Sequence, residues 1–316
     1  MSVFLAKRFV TFIATLFGTT VLTFLALEIL PGDPASVILG IDAPQSAVDA
    51  LRDRLGLDRP ILERYFDWLE DIVTLRFGVS YTYSTPVLEL VRARLAITFP
   101  LAILAMLLSA FVAFGLGVFA ASRHNRPGDV TVMGISQLGI SVPNFWLALL
   151  LILLFAVQLR WFSSGGFPGW HNGVWPAFKA LILPAIALAT VQGAILARFT
   201  RSAVLETMRE DYVRTARAKG LSRRATLWRH VLRNAMIPVI TIMGLQFANL
   251  LAGTIVVEEV FAMPGLGRLI LQAISNRDVI VVRDVVLMLA AFVVFINFVV
   301  DVLYAVIDPR LKPHDV

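Results

Sequence analysis

The chain of 316 residues contains no cysteine, and only 16% of its residues are charged. Without cysteine, neither disulfide bonds nor thiolate-ligated metal sites can form. Ordinary soluble domains carry about 25% charged residues, whereas this chain is 58% hydrophobic with a mean hydropathy of +0.79. The composition therefore argues against a water-soluble globular domain.

Signatures of catalysis and of metal binding are also missing. The chain has no Gly-x-x-x-x-Gly-Lys phosphate-binding loop, so it cannot itself be an ATPase. The four histidines show no metal-ligand spacing: His124, His171, His230 and His314. The net charge of +6 is concentrated in loops beside apolar runs, which indicates membrane orientation and not nucleic-acid binding. We expect no enzyme activity and no cofactor or metal bound by this chain.

What the chain does have is long apolar runs. Crossing about 30 Å of hydrocarbon takes about 20 residues of α-helix, and six runs are long enough: 9–30, 98–121, 132–157, 181–203, 236–257 and 285–307. The first run is about twice the length of a signal-peptide core, so we expect it to be retained. The sequence predicts an all-α polytopic membrane protein with six transmembrane helices.

Basic residues in the loops predict the orientation. Short cytoplasmic loops carry an excess of Lys and Arg, whereas long loops report orientation poorly. With the N-terminus inside, the cytoplasmic pieces hold sixteen Lys and Arg residues, against twelve on the opposite side, of which seven lie in the long 33–94 loop. We expect both termini to be cytoplasmic and the long loop to be external.

Two segments outside the spans have helical patterns of their own. Within the external loop, apolar residues recur at helical spacing after Pro44 and again after Pro60, which predicts two short helices packed over the bundle. Glu28, at the end of the first run, is expected to reach headgroups or water. The 258–283 segment is too short and too interrupted to cross, and we expect a re-entrant or outward-lying hairpin there.

The densest charge lies between the fourth and fifth runs. Residues 198–233 hold ten Lys and Arg against three acids, a net charge of +7. An amphipathic helix is predicted up to Gly220, which can take the left-handed conformation that ends a helix, and Ser222 can cap the next helix. Such a protruding segment could serve as a binding surface for a cytosolic protein.

Six short motifs, in order along nearly the whole chain, together resemble one family. They are LPGDP at 30–34, LRDRLGLDRP at 51–60, FGVS at 77–80, DYVRTARAKG at 211–220, FAMPGLGR at 261–268 and DPR at 308–310. The ordered set resembles the permease subunit of bacterial dipeptide/oligopeptide ABC importers, the first of the two homologous permeases. The implied fold is that of a type I ABC importer permease.

The resemblance implies partners and a location. A second homologous permease would pair with this chain, two ATPase subunits or domains holding ATP and Mg would drive them, and an external binding protein would deliver a dipeptide or oligopeptide. All would sit at the bacterial inner membrane. The chain would divide into a tail with the first span (1–31), an external helical loop (32–96), a five-helix core (97–308) with a cytoplasmic coupling loop (204–235), and a cytoplasmic tail (309–316).

The resemblance also implies a helix that couples the permease to the ATPase. The usual motif of such permeases is Glu-Ala-Ala, three residues, Gly, nine residues and Ile-x-Leu-Pro; Ala216 and Gly220 match it, while Arg214 and Thr215 replace the Glu and the first Ala. Near its end, His230 and Arg233 replace the Ile and the Pro. The predicted coupling helix comprises Arg209, Tyr212, Val213, Arg214, Thr215, Ala216, Arg217, Lys219 and Gly220.

We expect this helix to dock in a cleft of the ATPase. Tyr212, Thr215, Ala216 and Gly220 would make the contact by the helix-in-groove mode, and the arginines would orient it. The alternative is an interfacial helix held by anionic membrane lipid.

Polar side chains inside the spans are costly and usually face the bundle interior or a watery path. A polar lining for a peptide-like solute is one interpretation of six of them: Gln137, Ser141, Asn144, Gln192, Gln246 and Asn249. The alternative is hydrogen bonding between helices, worth about 0.6 kcal/mol per pair on average. Asp301, in the last span, is expected to pair with Arg198 or Arg201.

Other functions stay open at this stage. Glutathione, a nickel complex or another small solute could be the cargo of the same architecture. A self-contained secondary transporter or channel would more often show inverted repeats or paired broken helices. An integral-membrane enzyme or scaffold would need a reactive constellation or a soluble module, and neither is evident.

Overall fold

The computed structural model describes residues 2–29, 34–40 and 43–307, and almost all regular structure in this part of the chain is helical. The helices are α1 (Ser2–Ile29), α2 (Pro34–Leu39), α3 (Gln45–Leu55), α4 (Ile61–Val73), α5 (Val87–Ser122), α6 (Pro127–Ser141), α7 (Asn144–Leu151), α8 (Val174–Thr207), α9 (Asp211–Ala218), α10 (Arg223–Thr226), α11 (Leu232–Val260), α12 (Leu266–Ser275) and α13 (Val279–Ile307). Short π-helices extend α7 over Ile152–Gln158 and join α10 to α11 over Leu227–Val231. Most of the LPGDP motif, the DPR motif and the tail at 309–316 lie outside the described residues.

Five helical segments are long and apolar enough to cross a membrane: Ala6–Ile29, Val87–Ser122, Val174–Thr207, Arg223–Val260 and Val279–Val300. The pair α6 and α7 also passes this test together, with a bend of 98° at the break. Counted as one broken span, the pair gives the predicted six. The all-α polytopic fold is confirmed, and the third span differs from the prediction in being sharply bent.

The centre of the bundle is the contact of α5 with α8. Small buried residues recur every fourth position on both helices, at Ala105, Ser109, Ala113, Gly117 and Ala121 on α5 and at Ala185, Ala189, Gly193 and Ala197 on α8. Small residues let helix backbones approach closely in a membrane, where van der Waals packing drives association. The two helices therefore form a closely packed pair.

A substitution at Gly117 of α5 tests the close packing of α5 against α8. A Cβ at Gly117 would lie 2.6 Å from Thr200 Cβ and 2.8 Å from the Ala197 carbonyl oxygen. Because neither atom can move without shifting α8, we expect Gly117→Ala to lower stability by about 1–3 kcal/mol, measured by thermal unfolding of the purified protein. Gly115, on the same helix, has no atom within 4 Å of the point that a Cβ would occupy, so Gly115→Ala is the control. Equal melting temperatures for the two variants would contradict the packing argument.

The long loop after α1 contains the two predicted helices, α3 and α4, and α4 packs on α1 and α13. The buried Tyr65 hydroxyl shares a 2.8 Å hydrogen bond with Thr20, and Trp68 Nε1 donates to Asp284 Oδ1 at 3.0 Å. Glu28 is exposed at the end of α1, as predicted, and it also has a partner that the sequence did not indicate. Both terminal nitrogens of Arg64 donate to its carboxylate at 3.0 Å, because the fold lays α4 beside the end of α1.

The 258–283 segment forms α12, which at ten residues is too short to cross, as predicted. Its N-terminus is held by Glu258, a fully buried carboxylate on α11. Glu258 accepts hydrogen bonds from the Thr98 hydroxyl at 2.6 Å and from the Gly267 amide at 2.8 Å. Thr98 in turn accepts from the Leu266 amide at 2.9 Å. This network, the Glu258 node, joins α5, α11 and α12.

Candidate functional site

The predicted coupling segment forms a short helix set between two spans. After α8 ends at Thr207, a turn leads into α9, and Gly220 follows with φ of +89°. Ser222 caps α10 by accepting a 3.2 Å hydrogen bond from the Ala225 amide. The helix stop at Gly220 and the cap at Ser222 are both as the sequence predicts.

One face of α9 packs against its own chain. Val213 and Ala216 are buried, and Val213 belongs to an apolar cluster with Val204 of α8 and Val231, just ahead of α11. Val213 therefore anchors α9 to the bundle, and Ala216, at 6% exposure, is not on the exposed surface of α9 where a contact with an ATPase was expected. Because this face of α9 is packed against the bundle, the opposite face of the helix is directed away from the bundle.

The other face of α9 is free. Exposed residues of the predicted set are Arg209, Tyr212, Arg214, Thr215, Arg217, Lys219 and Gly220. Tyr212 is 40% exposed, and its hydroxyl accepts a 2.7 Å hydrogen bond from Asn234 Nδ2. Arg214 pairs with Asp211 at 3.3 Å, but both side chains are largely exposed, where such a pair contributes little. The free face presents a fixed aromatic ring among cations.

The acids of this segment are gathered on one side. A groove of about 590 Å³ lies beside the start of α9 and is lined by Ser202, Leu205, Glu206, Arg209, Glu210 and Asp211. All three acids of residues 198–233 are in this lining, while Arg217 and Lys219 follow further along the chain. The lining of this groove therefore carries three acids and one arginine, although the segment as a whole is basic.

Near the same end of the bundle, a buried ion pair joins α6 to α8. Arg201 Nε and Nη2 donate to the two carboxylate oxygens of Asp129 at 2.6 and 2.8 Å, and the Asn125 amide donates at 2.9 Å. His124 Nδ1 lies 3.4 Å from the same carboxylate. Asp129 therefore binds Arg201 in this structure, while the predicted pairing of Asp301 with Arg198 or Arg201 falls on a side chain outside the described part of the chain.

Removing the Asp129 carboxylate should be costly because it leaves a largely buried guanidinium without its partner. We expect Asp129→Ala to destabilise the protein by about 3 kcal/mol, measured by thermal unfolding. Asp211→Ala breaks the exposed pair with Arg214 and is the matched control, with an expected cost of at most about 0.5 kcal/mol. A similar loss in both variants would show that the Asp129–Arg201 pair is not special.

Within the described residues, the six candidate path residues are not joined in one hydrogen-bond network. Gln137 and Ser141 are exposed on α6, where the Ser141 hydroxyl donates to the Gln137 carbonyl at 2.9 Å. Gln246 and Asn249 bond to each other on α11, with Asn249 Nδ2 donating at 3.2 Å. Interhelical hydrogen bonds between these four are absent from the described part of the chain.

Asn144 and Gln192 differ from the other four. Asn144 begins α7 at the break in the span, and its Nδ2 lies 3.6 Å from the position of a Cβ at Gly253 of α11. Leu188 of α8 approaches the same point at 3.4 Å, and Gln192 follows Leu188 by one turn. Among the described residues, neither Asn144 Oδ1 nor Gln192 Oε1 has a hydrogen-bond partner, although both atoms are buried. An unmet acceptor inside a membrane protein is costly and marks these two for a role.

Comparison with known proteins agrees with the six motifs. Residues 113–313 match the family described as binding-protein-dependent transport system inner membrane component, and residues 1–102 match the N-terminal part of such membrane components. A putative peptide transport system permease protein of Brucella abortus (strain 2308) is 42% identical over 312 residues, 99% of each chain. The glutathione transport system permease protein GsiC of Escherichia coli O1:K1 / APEC is 40% identical over 98% of each chain.

A solved inward-facing structure of the MetNI methionine ABC transporter shares the fold, with a TM-score of 0.58 at 18% identity over 70% of this chain and 97% of that chain. The fold expected from the motifs is thereby confirmed, as is the resemblance to the peptide importer permeases. The chain belongs to the family of binding-protein-dependent transport system inner membrane components, as a multi-span permease of the ABC importer type.

Proposed function

We propose that this chain is the non-catalytic permease subunit of an ATP-driven importer at the bacterial inner membrane. With a second homologous permease it forms the path for dipeptides or oligopeptides that an external binding protein delivers. Two ATPase subunits or domains hold ATP and Mg. The observation that carries the proposal is α9, a short helix anchored to the bundle on one face, with Tyr212 among exposed cations on the other.

The geometry of α9 suggests how force passes to the membrane. Val213 ties α9 to α8 through their shared apolar cluster, and α8 packs on α5 over several turns. A partner that pulls on Tyr212 and the surrounding cations therefore displaces a stiff pair of spans and not a loose loop. Closure of the ATPase pair on ATP is the event that would supply this pull.

Uptake assays test the function. In a strain lacking the gene, restored uptake of a peptide panel should require this chain, the binding protein and hydrolysable ATP together. Glutathione belongs on the panel because a relative with 40% identity carries that name, and a nickel complex tests the remaining alternative. Ion-driven uptake by proteoliposomes containing only this chain would instead indicate a secondary transporter.

The proposed orientation, with both termini cytoplasmic, has its own test. Because the chain has no cysteine, a single Lys219→Cys or Glu63→Cys substitution gives one labelling site. A membrane-impermeant thiol reagent should label Glu63→Cys on intact cells and Lys219→Cys only after permeabilisation. The reverse pattern would invert the topology.

Asn144 and Gln192 are our candidates for contact with the passing solute. If each amide contributes one hydrogen bond of about 1 kcal/mol to the solute in transit, Asn144→Leu and Gln192→Leu should each lower initial uptake about fivefold. Rates must be normalised to the amount of permease in the membrane. The control is Thr15→Val on the exposed surface of α1, which should leave uptake unchanged, and equal losses at all three positions would argue against a specific path.

A further inference from the structure

Helix α4 has three faces and not two. Successive residues of an α-helix advance by about 100°, which places Tyr65, Trp68, Leu69 and Ile72 on one side. This side is packed against the bundle, with Tyr65 and Trp68 buried in a cluster that includes Phe24 of α1 and Leu287 of α13. The contact accounts for one apolar face of α4.

A second apolar edge lies beside the buried face; its one ring contact in the described part of the chain is within α4, between Phe66 and Tyr65, with centroids 5.7 Å apart. Leu62, Phe66 and Val73 fall within about 40° of one another around the helix axis. Their side chains are 70%, 63% and 80% exposed. We call these three residues the free edge of α4.

The remaining side of α4 is acidic and suited to water. Glu63, Asp67, Glu70 and Asp71 follow the free edge around the helix. Arg59 pairs with Glu63 and Asp67, and Arg76 pairs with Glu70, all with side chains at least half exposed. The free edge therefore separates a solvated charged face from the face that is packed on the spans.

The contacts of α4 place it level with membrane-spanning helix. Thr20, which bonds Tyr65, lies nine residues before the end of α1 at Ile29, a distance of about 13 Å along the axis. Phe24, in ring contact with Tyr65 at 5.3 Å, lies about 8 Å before that end. The exposed apolar side chains of α1 at the same level include Leu22 and Leu25. Helix α4 thus packs beside a length of α1 that carries exposed apolar side chains of its own, as expected of a lipid-facing surface.

We propose that α4 lies in the membrane surface, with Leu62, Phe66 and Val73 among the lipid acyl chains and the acidic face in water. A helix with a large apolar sector and a charged opposite face is the kind that lies in the plane of the interface. That the leaflet is the outer one rests on the proposed orientation. On this assignment, the loop after α1 is partly embedded and offers a binding protein its acidic face only.

Site-directed spin labelling tests the embedding. The chain lacks cysteine, so Phe66→Cys and Leu62→Cys each carry one label on the importer complex in nanodiscs, with Glu63→Cys as the matched control one residue away. We expect labels at Phe66 and Leu62 to collide more with oxygen, which concentrates in lipid, than with a water-soluble nickel chelate. At Glu63 the order should reverse.

Two results would overturn the proposal. Chelate contact at Phe66 equal to that at Glu63 would place the free edge in water. Protection from both reagents at Phe66 would mean that a protein subunit covers it. Contact of a spin label with lipid is the same in either leaflet. If Glu63→Cys failed to label on intact cells, the proposed orientation would therefore be rejected, while the embedding of α4 would still be decided by the collision measurements.

Discussion

Tyr212→Ala combined with Gly220→Pro uncouples ATP hydrolysis from uptake, while the permease still accumulates in the membrane. The ring of Tyr212 is the exposed aromatic of α9, and loss of such an interface anchor costs about 2 kcal/mol or more, about thirtyfold in affinity. Gly220 has φ of +89°, which proline, held near −65°, cannot adopt. The measurement is the ratio of solute imported to ATP hydrolysed in reconstituted vesicles.

Tyr212→Phe is the control for the ring itself. It removes the hydroxyl that accepts from Asn234 but keeps the exposed ring, so coupling should stay near that of the unmodified protein. Lys219→Ala should weaken coupling mildly, with an effect that shrinks at high salt because exposed charges are screened. An unchanged ratio in the double variant would reject α9 as the coupling helix and favour lipid binding.

Glu258→Ala produces the second large effect, a loss of folded permease. The substitution removes the acceptor of the Thr98 hydroxyl and of the Gly267 amide inside the bundle. Each orphaned buried donor costs about 1–3 kcal/mol, so we expect about 3 kcal/mol or more in total. The fall should appear in the melting temperature and in the yield of assembled complex, with uptake reduced in proportion.

Glu259→Ala, at the next residue, is the matched control. Its carboxylate is half exposed and lies 3.6 Å from Arg268 Nε, a pair worth at most about 1 kcal/mol. Gly267→Val tests the same node from the other side, since a Cβ there would lie 2.3 Å from the Ile255 backbone. Equal stability of Glu258→Ala and Glu259→Ala would show that the Glu258 node does not hold the fold.

Structural features that depend on neighbouring residues in the sequence were predicted correctly. The spans follow from apolar length, and helices α3 and α4 follow from periodicity after Pro44 and Pro60. Gly220 and Ser222 take the conformations their residue types favour, because a positive φ and a helix cap depend on neighbours within a few positions. The motif series placed the chain in its family across nearly its full length.

Contacts across the bundle could not be predicted in this way. Asp129 and Arg201 are 72 residues apart, and Thr98 and Glu258 are 160 apart. The sequence marks Asp129 and Glu258 as acids near span ends but carries no sign of which distant group meets each. The same holds for Glu28, whose partner Arg64 is supplied by the separate helix α4.

The amino-acid sequence is enough to predict that the chain crosses the membrane, where its spans lie, and which segment is the candidate coupling helix. In the hydrocarbon layer, every backbone group of a spanning helix must form its hydrogen bond within that helix. The length of the apolar runs therefore predicts the spans, and the charge between the runs predicts the orientation and the coupling segment. The bend of the third span, the burial of Ala216 and the buried acceptors of Asn144 and Gln192, which lack partners among the described residues, emerge from the three-dimensional packing alone. Those features depend on the register and rotation of packed helices. Small residues such as Gly117 set this geometry by letting two helices approach closely, and a local sequence pattern does not show which helices will do so.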